Sequence, residues 1–186
     1  MTDARLAELT TELEEQGVRL VTGAEADVYF KSLKNPDGSA RPALGAFVGG
    51  SEPTLYLSSG STEFIYLHES LHLQEWLADK AAFNARFDKV RELKGMIAEL
   101  KRLKKADPLV LLLQNGAALR RAQRKLELAN QQAHVEAERY VYDTLSASDE
   151  WWNLAPEERA ASTAYIQRLE EQLNFLEKKQ NAPLAP

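Results

Sequence analysis

The chain has 186 residues, of which 44% are apolar and 27% charged, and its net charge is −5. These values suit a globular protein with enough chain to bury a core, and the acidic balance argues against a general nucleic-acid binder. There is no cysteine, which excludes a disulfide framework and a thiolate metal site, so any metal must be held by imidazole and carboxylate.

The amino end, Met1 to Gln16, is polar and acidic and reads as neither a signal peptide nor a transit peptide. Within it Leu6, Leu9 and Leu13 are spaced three and four apart, which predicts an amphipathic helix over 4–16 ended by Gly17. Val18 to Val21 reads as a short strand, and Ala24 to Leu33 as a second helix with Val28 and Tyr29 inward. Asn35-Pro-Asp-Gly38 is a turn signal. Two β-like runs follow, Ala43 to Val48 and Thr54 to Ser58, joined through Gly49-Gly-Ser-Glu-Pro53 as a hairpin. The second run is expected to be an exposed edge strand able to hold an extended peptide by backbone pairing.

Next comes Ser61-Thr-Glu-Phe-Ile-Tyr-Leu-His-Glu-Ser-Leu-His-Leu-Gln-Glu-Trp-Leu-Ala-Asp79, in which nothing breaks a helix and Ser61 is the expected N-cap. It contains His68-Glu69-Ser70-Leu71-His72, an H-E-x-x-H motif that uses two of the three histidines in the chain. Residues four apart share a helix face, so both imidazoles project the same way and can take two sites of a zinc ion. Glu69 lies about 100° round the helix from His68. It cannot comfortably bind the same ion but can reach a water beside it, as the general base of a metallopeptidase does.

Beyond this helix the composition changes. Phe83, Phe87, Val90, Leu93, Ile97, Leu100 and Leu103 follow helical spacing, so Ala81 to Lys105 is expected to be one helix with a basic, solvated end at Lys101 to Lys105. Asp107-Pro108 stops it and starts another. That long tract reaches about Leu145, with a possible interruption at Asn115-Gly116. Ser146 to Asp149 reads as a loop, Trp151 and Trp152 as packing anchors, and Pro156 as the start of a last helix ending near Lys179. The whole is expected to be a single domain over 1–186, with 1–16 a leading helix and 181–186 a disordered tail. No apolar run approaches the length of a membrane span.

A catalytic zinc needs a third protein ligand and one open position. The extended motif H-E-x-x-H-x-x-G-x-x-H is excluded, because Glu75 and Ala78 stand at its glycine and histidine positions. The remaining histidine, His134, lies in a helical segment with Glu136 and Glu138. On a helical wheel His134 and Glu138 stack on one flank and Glu136 points to the opposite one. The wheel slightly favours His134, and either residue of the pair could ligate while the other supports it or contacts substrate.

Several of these segments resemble the zincin-like metallopeptidase toxin domains at the C-termini of bacterial polymorphic toxins, including the Rhs type. The matching stretches are Gly17 to Ala26, Tyr66 to Trp76, Glu138-Arg-Tyr-Val-Tyr-Asp143, Trp152-Asn-Leu154 with Glu157-Glu158, and Ala164-Tyr-Ile166. Only the H-E-x-x-H motif is sharply specific. The resemblance implies an α+β fold, with a small N-terminal sheet before a mostly helical body like a minimal gluzincin. It implies His68, His72 and Glu138 as ligands of Zn2+, with Glu138 placed by the glutamate that precedes the Tyr-Val-Tyr-Asp stretch, and Glu69 as the catalytic base. It further implies hydrolysis of a protein or peptide substrate. The chain would be part of a larger secreted toxin delivered into a target cell, with no signal peptide of its own, acting as a monomer without membrane insertion and opposed by a cognate immunity protein. Tyr140, Tyr142 or the unused member of the His134/Glu138 pair could stabilise the oxyanion. A metal hydrolase acting on other bonds and a non-catalytic helical interaction module are the alternatives.

Overall fold

The structure, a computed structural model, describes residues 2–33, 43–106 and 108–181. The fold is α+β, a three-stranded sheet with helices making up most of the chain. The chain divides into two compact units, Met1–Asp79 with Ala147–Leu154, and Lys80–Ser146 with Ala155–Pro186.

The first unit opens with α1 (Asp3–Glu15), capped by the Thr2 hydroxyl. Leu9 and Leu13 are buried from its apolar face, and Gly17 takes φ +70°, the left-handed turn that ends such a helix. Strand β1 (Arg19–Thr22) follows, then α2 (Gly23–Ser32). Ala26 and Phe30 are the buried residues of α2. Val28, expected inward, is 67% exposed, and Tyr29 is half-buried and stacks on Tyr56 at 3.9 Å between ring centroids. A helix of ten residues has one face to cover, and the four-residue spacing of Ala26 and Phe30 defines it. Residues 35–38, read as a turn, lie outside the described residues.

Strands β2 (Gly45–Val48) and β3 (Thr54–Leu57) pair antiparallel as the hairpin expected from sequence. The sheet order, however, is β1-β3-β2. β3 is therefore central, paired in parallel with β1 through Leu20↔Leu55 and antiparallel with β2 through Phe47↔Leu55. This overturns the expectation that Thr54 to Ser58 is an exposed edge. The burial of Thr54, Leu55 and Leu57 shows the cause: a strand covered on its faces reads as a near-continuous buried run. β1, which completes the pairing, is separated from it in sequence by α2 and β2.

The unit continues with α3 (Glu63–Ala78), which packs on β2 and β3. Its N-cap is Thr62, whose hydroxyl accepts from Ile65 N at 3.4 Å. Ser61, the expected cap, instead donates its hydroxyl to the Leu44 carbonyl. Leu73 and Trp76 are buried from α3, and the Trp76 ring meets Phe47 edge-on at 5.8 Å.

In the second unit the helix expected over 81–105 is two, α4 (Lys80–Ala85) and α5 (Asp88–Ala106). The Asn84 amide donates to the Lys80 carbonyl at 2.7 Å and the Arg91 guanidinium to the Asn84 carbonyl at 2.8 Å. Both accepting carbonyls lie on the α4 side of the break, the second bonded from α5, and Asp88 sits in the favourable first turn of α5. Next comes α6 (Pro108–Ser146), helical through Asn115-Gly116 without interruption. Val90 and Leu93 of α5 pack on Ala129 and Ala133 of α6, with Phe87 and Leu126 at the margin. A separate cluster joins Val135 of α6 to Ile166 and Leu169 of the last helix, α8 (Pro156–Asn181). Here α7 denotes the short helix Asp149–Asn153, which belongs to the first unit. It buries Trp151, as expected of a packing anchor, while Trp152 is 71% exposed. Among the described residues no helix is long and apolar enough to cross a membrane. Of residues 181–186, read as a disordered tail, Asn181 is the last residue of α8 and 182–186 lie outside those described.

Candidate metal centre

The two motif histidines lie one turn apart on α3, their ring centroids 5.1 Å apart and their planes at 77°. His72 is buried at 8% exposure and His68 is half-buried. Helical spacing alone sets this pairing, and the burial of Leu73 and Trp76 beside it fixes the rotation of the helix against the sheet.

Glu69 leaves α3 in a different direction. Its Oε2 accepts a hydrogen bond from the backbone N–H of Phe47 in β2 at 2.9 Å. The carboxylate is half-buried against the strand. Gly45 makes this approach possible: an added Cβ there would lie 2.7 Å from Glu69 Cγ and 2.5 Å from Ile65 Cγ2. Neither Gly45 nor the Phe47 N–H was singled out from sequence. The readable signal is a lone glycine inside a β-like run, which marks close approach of another group.

On α6, Glu138 and His134 are neighbours, with His134 Nδ1 3.7 Å from Glu138 Oε1. The Glu138 side chain is 11% exposed and that of His134 32%. His134 Nε2 shares a hydrogen bond with the Tyr165 hydroxyl of α8 at 3.3 Å. Glu136 is exposed and faces Arg86 Nε at 3.4 Å, so it stands apart as the wheel expects. Tyr142 is half-buried with its hydroxyl 3.2 Å from Thr163 Oγ1, while Tyr140 is 38% exposed.

His68, His72 and Glu138 form a group of three side chains, each offering one ligand atom, that could hold a metal ion. Two imidazoles and a carboxylate fit a divalent first-row metal ion, and this donor set is shared by several of them. The group therefore could bind a metal ion. It contains Glu138 and neither His134 nor Glu69. No protein-family model, no curated protein and no solved structure matches the chain.

Proposed function

We propose that the chain is a zinc-dependent peptidase in which His68, His72 and Glu138 hold the ion and Glu69 is the general base. The observation that carries this reading is the grouping of two helical histidines with one carboxylate, beside a motif glutamate that is not in the group. Two nitrogens and one oxygen from protein are the three-ligand set that, with zinc bound, would leave room for a water or substrate, as in catalytic rather than structural zinc sites. Zinc held there would supply Lewis acidity toward a peptide carbonyl and toward a water molecule.

The chain's own residues do the rest. Glu69, anchored through Oε2 on the Phe47 N–H, would accept a proton and pass it to the leaving amine. His134 lies beside the Glu138 carboxylate, in the place of a partner that orients a ligand, and is itself steadied by Tyr165. The exposed Tyr140 is the better of the two tyrosine candidates for oxyanion contact, because the Tyr142 hydroxyl already has Thr163. The role as the toxin domain of a larger secreted protein, with an immunity partner, rests on the sequence resemblance.

Elemental analysis tests the site. About one zinc per chain is expected in the purified protein, and His68→Ala should lose it; undiminished zinc in that variant would refute the ligand assignment. Glu69→Gln should keep zinc and fold while losing about 10²–10⁴-fold in peptide turnover. Loss of the ion in Glu69→Gln would move Glu69 from base to ligand. Expression of the wild type and of Glu69→Gln inside bacterial cells tests the toxin role: only the wild type should arrest growth.

A further inference from the structure

The hydrogen-bond pattern of β2 gives its outer edge a specific use. Ser58 N donates to the Leu44 carbonyl at 2.9 Å, and the register pairs Ala46 with Tyr56 and Val48 with Thr54. Antiparallel ladders alternate, so the backbone groups of Leu44, Ala46 and Val48 face β3, while those of Gly45 and Phe47 face the outer edge, which no strand pairs among the described residues. The edge donor that meets a side-chain acceptor is the Phe47 N–H, and the acceptor is Glu69. Gly45, two residues earlier on the same edge, carries no side chain where Glu69 Cγ and Ile65 Cγ2 pass.

We propose that Gly45 and the Phe47 backbone N–H are a positioning element for Glu69: the glycine admits the side chain to the sheet edge and the N–H fixes one carboxylate oxygen. This rests on Glu69 being the base of the reaction proposed above. A glutamate has three side-chain torsions, and a base must be held near its working geometry. An N–H that is already fixed by the strand holds the carboxylate without a second side chain having to be ordered. The alanine Cβ cannot be accommodated by moving a flexible tip. Its nearest neighbours would be a branch methyl of Ile65 and the middle carbon of Glu69.

The same contact occupies the edge. A peptide adding to β2 as a further strand would need the Phe47 N–H that Glu69 holds. Glu69 is thus both anchor and plug at residue 47, one of the ways an open sheet edge is blunted.

Amide hydrogen exchange on the full chain tests the contact without reference to activity. In the wild type Phe47 should exchange as slowly as Tyr56 inside the ladder. In Glu69→Ala it should exchange at least tenfold faster while Tyr56 is unchanged. Equal Phe47 rates in the two proteins would overturn the proposal. Gly45→Ala should keep its zinc and its KM for a peptide while kcat falls at least tenfold, and relieving the second clash with Gly45→Ala/Ile65→Ala should not restore it. Full kcat in Gly45→Ala, or recovery in the double variant, would reduce Gly45 to a packing residue and overturn its part. Should Gly45→Ala fail to fold, the exchange comparison decides. A wild type with neither zinc nor peptidase activity would defeat the proposed function and leave the exchange result standing.

Discussion

His134 and Glu138 show how far single residues can be assigned. Both lie on one flank of α6, yet the carboxylate is the more buried and is the one grouped with His68 and His72. Loss of a partner that only orients a ligand typically costs about 10–100-fold in metal affinity, and loss of a ligand costs much more. Glu138→Ala should therefore nearly abolish zinc binding, whereas His134→Ala should keep the ion and chiefly slow turnover. Competition with a chelator at fixed pH measures both, and the reverse order would make His134 the ligand. His68, Glu69 and His72 were legible in the sequence because one helical turn fixes their relation. Glu138 was not legible from the wheel, which ranks the faces of one helix and slightly favours His134. The Phe47 N–H was invisible for a different reason, since every non-proline residue carries the same backbone donor and only the ladder decides which ones face outward.

At the scale of elements, helix locations were read better than helix breaks, and strand order was not read. The apolar spacing of α1 and the proline at the start of α8 are local signals, and both elements lie where those signals put them. The central place of β3 depends on β1, more than thirty residues upstream, and local patterning carries no trace of that pairing. One contact ties α2 to the segment after β3. The Ser59 hydroxyl donates to Asp27 at 2.6 Å and the Ser59 backbone N–H at 3.1 Å. These two hydrogen bonds, the hydroxyl first, hold the Asp27 carboxyl below its ordinary range. A carboxyl with a lowered native value adds stability above its unfolded pKa, about 3.9 for aspartate, and loses it as pH falls through the native value. Asp27→Ala should accordingly lower the melting temperature at pH 7, and the gap to wild type should close as acid protonates Asp27. A gap that stays constant from neutral pH into the acid range would show that this contact does not stabilise the fold.

For the whole molecule, the metal and the fold should be thermodynamically linked. The three candidate ligands come from α3 and α6, and Glu138 follows His72 by more than sixty residues. An unfolded chain does not hold three such groups together, so an ion that binds them binds the native state and stabilises it by mass action. Free zinc at a thousandfold excess over its dissociation constant contributes about 4 kcal/mol. In a protein of this size each kcal/mol moves the melting temperature by roughly 2–4 °C. Removing the ion with a chelator should then lower the melting temperature by about 8–16 °C, and added zinc should restore it. Glu69→Gln should show the same dependence as wild type, because Glu69 lies outside the ligand group. His68→Ala and Glu138→Ala should melt near the chelated wild type whether or not zinc is present. Melting temperatures that ignore both chelator and zinc would mean that the native state binds no ion at these residues, and the peptidase reading would fail with them.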